Sequence, residues 1–157
     1  MKKKSTAEIS TNDLERIISS YLEKRLEASD KVSVSGLTRI AVGWSHETWL
    51  FDADWRDHDD EQQRLELCLR RDPGNALLRE TSNLEEQFKV LKCLEKTEVP
   101  SPKAYWLELD SETLGAPALI MEKIPGECPS PWRKDGRKFY AAAAKREVLP
   151  KSFVDAL

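Results

Sequence analysis

The chain is poor in the residues from which many kinds of site are built. It has three cysteines, Cys68, Cys93 and Cys128, widely spaced and with no CxxC pair. An odd, scattered set excludes a disulfide framework or a zinc ribbon, and the expectation is reduced thiols in a cytoplasmic protein. Cys68 and Cys93 sit in apolar patterns and are expected in the core. Histidine is scarcer still, with only His46 and His58. His58 lies in the acidic stretch Arg56–Arg64, which lacks the glycine and the ligand spacing of a calcium loop, so a solvated hairpin tip is expected there and no metal ligand is assigned. No apolar run is long enough to span a bilayer; the longest are Ala116–Met121 and Phe139–Ala144. Lys2-Lys3-Lys4 is not followed by the apolar segment of a signal peptide. With 25 Lys and Arg against 28 Asp and Glu, the formal net charge is -3, so neither nucleic acid nor a membrane is an expected partner. No internal repeat is visible.

What is there suits one soluble domain: 157 residues, 39% hydrophobic and 34% charged. Residues 1–10 carry no pattern and are expected to be disordered. Asn12, with Glu15 three positions on, reads as a helix cap, and Leu14, Ile17, Ile18, Tyr21, Leu22 and Leu26 recur at helical spacing. Residues 32–40 and 47–55 read as two strands of a hairpin, and Leu65–Arg71 as a third strand, stopped by Asp72-Pro73-Gly74. Ser82, with Glu85, is the expected cap of a second helix whose apolar face is Leu84, Phe88 and Leu91. Gln87 borders that stripe and can turn inward. Val99-Pro100-Ser101-Pro102 is extended and stiff. Ala104–Leu109 and Pro117–Ile124 read as strands four and five around a turn at 110–115, and strand five, largely apolar, is expected inside the sheet. Residues 127–136 read as a linker. Residues 137–148 are helix-prone, and a final helix opening at Pro150 ends on Phe153, Val154 and Leu157, an apolar face expected to lack its partner.

The stretch with most chemical promise is the first hairpin turn, Gly43-Trp44-Ser45-His46. Gly43 permits a close approach to the backbone, and Ser45 and His46 add donors beside exposed amides, a combination suited to an anion as well as to an ordinary turn. Arg70, near the end of strand three, is either a surface charge or a phosphate clamp.

Helix, three antiparallel strands, a crossing helix and two more strands make an α+β unit with a five-stranded antiparallel sheet. This resembles the N-terminal lobe of the protein-kinase-like fold. Within it, the spellings resemble the aminoglycoside phosphotransferase and choline-kinase-like family, nearest the branch associated with acyl-CoA dehydrogenases. The resemblance rests on Val42–Trp49, Leu67-Cys68-Leu69-Arg70-Arg71, Leu84–Leu94 with the Val99–Pro102 segment, and Leu114–Gly126, and covers roughly residues 30–130. It implies an N-lobe over 11–126, a hinge or linker over 127–136 and the start of a helical C-lobe over 137–157. It implies ATP with Mg²⁺ as cofactor, the metal ligands lying in the C-lobe. It also implies a nucleotide site in which the Gly43-Trp44-Ser45-His46 turn covers the phosphates and Arg70 grips them. Val42, Leu69 and Met121 would neighbour the base, and the Glu122 carbonyl and Ile124 amide of a Met121-Glu122-Lys123-Ile124 hinge would hold its edge.

Two departures qualify this. The helix glutamate expected opposite the strand-three cation is replaced by Gln87, unless a one-residue shift offers Glu86. Neither His46 nor His58 is followed by Gly-Asp, so the catalytic loop and metal-binding Asp of the family are missing, and no residue here is assigned as catalytic. The expectation is a nucleotide-binding lobe of a small-molecule phosphotransferase, cut off before its catalytic half and inactive alone, the acceptor bound by the missing lobe. The alternative is a non-catalytic binding or interaction module.

Overall fold

A computed structural model describes residues 9–40, 46–74 and 83–126. Residues 41–45, which hold most of the expected turn, and everything expected of 127–157 lie outside them. The order is α1 (Thr11–Glu23), β1 (Ser33–Ile40), β2 (Glu47–Arg56), β3 (Gln62–Arg71), α2 (Leu84–Leu94), β4 (Ala104–Glu108), α3 (Ser111–Leu114) and β5 (Ala118–Glu122).

Helix α1 is capped two residues before the expected position. Ser10 has the extended backbone of an N-cap, its Oγ accepts from the Asp13 amide at 3.1 Å, and it donates to the Asp13 carboxylate at 2.6 Å. The reciprocal pair is therefore Ser10 with Asp13, and Asn12 lies inside the first turn, where its side chain cannot serve the same amides. Leu14, Ile18, Tyr21 and Leu22 are buried against Trp49, Phe51, Leu67, Leu69 and Ile120. Each such side chain contributes about 1.5–3 kcal/mol before chain entropy is counted, so this face is the main core.

The strands form one antiparallel sheet ordered β1-β2-β3-β5-β4, with β5 in the interior as expected. β1 carries an irregularity between Ser35 and Thr38, where Gly36 takes φ 64°, a conformation open to glycine. The β2–β3 ladder is longer than its sequence suggested. Its tip is only residues 57–61, because the Asp57 carboxylate accepts from the Asp59 and Glu61 amides and from the Gln63 side chain, at 2.7–3.0 Å. Those bonds hold the Asp57 carboxyl below its usual 3.8, the Gln63 bond being the main cause.

Helix α2 lies on the opposite face. Leu84, Phe88 and Leu91 pack on Ala104, Leu119 and Met121, whereas the strand neighbours Ala118 and Ile120 belong to the α1 side. Its cap is Asn83, whose Oδ1 accepts from the Glu85 and Glu86 amides at 2.9 and 3.3 Å, in place of the expected Ser82. Cys93 is exposed, not in the core; Cys68 is buried. Residues 110–115 contain the short helix α3, capped by Asp110, and Gly115 follows it in the left-handed conformation. Among the described residues no helix is long and apolar enough to cross a membrane.

Candidate functional site

The register fixes what shares the α2 face of the sheet. Thr48, Arg70 and Leu119 form one row across β2, β3 and β5; Leu50, Cys68 and Met121 form the next. Asp52 pairs with Glu66, and Lys123 continues the ladder by donating its amide to the Glu66 carbonyl at 3.0 Å. Along β3 this face therefore runs from a cation, through an apolar patch, to an ion-paired cluster.

At the cationic end, the Arg70 guanidinium lies 3.3 Å from His46 Nδ1. Because arginine only donates, Nδ1 is the acceptor. His46 is the last residue of the stretch that the sequence suits to an anion, so that end of it is brought to Arg70. A cavity of about 430 Å³ opens beside Arg70, between α2 and the sheet, lined by Arg70, Glu86, Gln87, Val90, Leu91 and Met121 among others. The choice between Gln87 and Glu86 is resolved by burial. Glu86 is exposed, while the Gln87 head is turned in, its Oε1 buried without a hydrogen-bond partner. Leaving a buried amide oxygen unpaired costs about 1–3 kcal/mol. Val90 is 56% exposed, so the apolar wall of this cavity continues to the surface.

In the apolar row, Leu69 is not where the sequence reading put it. It is fully buried on the α1 face, because adjacent residues of a strand project to opposite sides and Arg70 takes the other. Cys68 and Leu50 stand beside Met121 instead. Burial pushes the Cys68 thiol above its usual 9.0, opposed by the nearby Arg70 charge.

Where the resemblance implies a hinge, the Glu122 amide donates to the Lys103 carbonyl at 2.8 Å and its carboxylate accepts from the Lys103 amide at 3.1 Å. Lys123 Nζ reaches Asp52 Oδ1 at 2.9 Å and Glu66 at 3.4 Å. Ile124 is 57% exposed. Val42, Gly43, Trp44 and Ser45 lie outside the described residues. His46, Arg70, Gln87 and Met121 are thus brought to one face, with Glu122 and Ile124 at its rim, and Leu69 is not.

One residue escaped the sequence reading. Arg71 is 2% exposed on the α1 face, its Nη1 donating to Glu47 Oε2 at 2.9 Å while Glu47 Oε1 takes Arg39 at 3.1 Å. Burial holds the Arg71 guanidinium below the usual arginine range; Glu47 opposes this and Arg39 adds to it. The visible signal was the Arg-Arg pair itself, since alternation forces one of two adjacent strand arginines inward.

A five-stranded antiparallel sheet with a helix against one face and an arginine from its central strand on that face is the N-terminal lobe of a kinase-like phosphotransferase fold. A crystal structure assigned as an aminoglycoside phosphotransferase from Ralstonia eutropha superposes on 71% of this chain with a TM-score of 0.50 at 20% identity, and the chain covers 28% of it. Residues 36–146 match the family model APH, the phosphotransferase enzyme family, and the chain belongs to that family. Acyl-CoA dehydrogenase family member 10 of Mus musculus is 36% identical over 61 residues, which is 39% of this chain and 6% of that protein. The chain thus spans a small part of each relative.

Proposed function

We propose that the chain is the nucleotide-binding lobe of an ATP-dependent phosphotransferase acting on an alcohol group of a small molecule. The observation that carries this is the pairing of Arg70 with His46 at one end of an apolar row, Leu50, Cys68 and Met121, that ends at the hinge strand. A guanidinium suits the polyphosphate, the apolar row suits the base, and the backbone of Glu122 and Ile124 suits its polar edge. The Gly43–His46 stretch would cover the phosphates. Among the described residues no group of three or more His, Cys, Asp or Glu is placed to hold a metal. The Mg²⁺ that accompanies ATP would be held by carboxylates outside these residues, and no step of phosphoryl transfer is assigned to this chain. The acceptor would bind with that second set of residues, so these 157 residues are expected to bind nucleotide without transferring phosphate. The free thiols fit a reducing compartment, and we place the protein in the cytoplasm.

The test is titration of ATP, with and without Mg²⁺, into wild type and Arg70→Ala. A one-sided cleft buries little of a nucleotide, so binding should be weak. Loss of a charge-assisted contact of about 1.5–3 kcal/mol predicts at least a tenfold weakening in Arg70→Ala. Absence of binding in folded wild type overturns the reading. That result would favour a non-catalytic interaction module, a reading supported by one observation: the neutral Gln87 provides no ion pair for Arg70.

A further inference from the structure

Beyond the β5 ladder the hinge is held unequally on its two sides. Toward β4, Glu122 is tied to Lys103 through both its backbone and its carboxylate. Toward β3 there is one backbone bond, from the Lys123 amide, and then the Lys123 side chain. That side chain points onto the same face as Arg70 and Met121, because residues 121 and 123 share a side of the strand. It is met there by Asp52, which uses both oxygens. Oδ1 accepts from Lys123 Nζ at 2.9 Å, and Oδ2 accepts from Arg64 Nη2 at 2.8 Å. The Asp52 side chain is 18% exposed and that of Lys123 27%, so the pair is less screened than an ordinary surface bridge. Asp52 and Lys123 are 71 residues apart in sequence, and nothing local brings them together.

We infer that Asp52 is a positioning residue for the nucleotide base: it anchors Lys123, and through it sets the backbone carbonyl of Glu122 and the amide of Ile124 that flank Lys123. The inference rests on the nucleotide reading above and adds a residue to it. The cluster of Asp52, Asp54 and Glu66 against Arg64 and Lys123 carries one net negative charge (three acidic against two basic side chains). Arg70 lies at the other end of the face.

Adenosine, tripolyphosphate and ATP are titrated separately into wild type, Asp52→Asn, Lys123→Met and the double variant, with amide hydrogen exchange followed at Lys123 and Ile124. Asp52→Asn should weaken adenosine and ATP by the same factor, about threefold for a partly screened pair. It should leave tripolyphosphate unchanged and speed exchange at Lys123 and Ile124. Lys123→Met should reproduce this, and the double variant should be no weaker than either single one, because the effect runs through one contact. A uniform loss for all three ligands, or undiminished adenosine binding by Asp52→Asn, overturns the anchoring role while leaving the nucleotide reading intact. Wild type that binds none of the three overturns both. Should Asp52→Asn fail to fold, Lys123→Met at the end of the strand carries the same comparison.

Discussion

Removing the carboxylate of Glu47 should destabilise the fold out of proportion to its position beside a turn. Glu47 is shared by two arginines: Arg71, 2% exposed, at 2.9 Å, and Arg39, half-exposed, at 3.1 Å. In Glu47→Ala the Arg71 guanidinium stays buried with no counter-ion, and its Nε already lacks a partner. Breaking a buried pair by deleting one member costs about 3–5 kcal/mol. Glu47 retains 17% exposure, which trims this toward about 2–4 kcal/mol. The Arg39 contact adds little, being on the surface. At roughly 3 °C per kcal/mol for a chain of this size, the melting temperature should fall by about 6–12 °C. Urea unfolding followed by tryptophan fluorescence reads the loss directly, since Trp49 is buried in the same core. The companion variant, Glu47→Leu with Arg71→Met, removes the charge altogether and should be less destabilised than Glu47→Ala. The reasoning is refuted if Glu47→Ala costs under about 0.5 kcal/mol, the level of a surface substitution, or if the double variant is the worse of the two.

Two further outcomes follow from the same geometry. Gly115→Ala should cost at least about 1 kcal/mol in the same unfolding assay, because the residue holds φ 74° and a Cβ there would stand 2.9 Å from Arg71 Nη2; stability equal to wild type would show that neither the backbone nor Arg71 is constrained. Peptide-resolved thiol labelling should modify Cys93 rapidly near neutral pH and leave Cys68 protected. With its pKa raised by burial, Cys68 remains a protonated thiol until the pH rises beyond 9.0, so its labelling should accelerate only in alkaline solution. Equal rates at the two cysteines would contradict the burial of Cys68.

The errors in reading the site from sequence have a common origin. Period-two alternation in Leu67–Arg71 says that Leu69 and Arg70 oppose one another, but not which of them meets the α1 face; that is decided by Phe51 and Ile120, whose pairing with β3 no local pattern encodes. The caps moved by one or two residues because Ser10 and Asn83 are as chemically fit to cap as Asn12 and Ser82, and only the entering backbone selects between them. Cys93 lies in an apolar run yet on the wet side of α2, since a helix stripe drifts and its edge residues are set by what it packs on.

By itself the sequence determined the two longer helices, the five strands, their order and the family, though not the short helix α3 read as a turn, because apolar spacing, turn residues and motif spellings act over a few positions of chain. The tertiary structure decided that Arg71 is buried on Glu47, that Gln87 rather than Glu86 turns inward, and that Lys123 is held by Asp52. The two ion pairs depend on groups distant in sequence meeting within about 3 Å, the reach of a hydrogen bond, and the Gln87 orientation on how α2 seats against the sheet; both are set by the packing of the whole sheet.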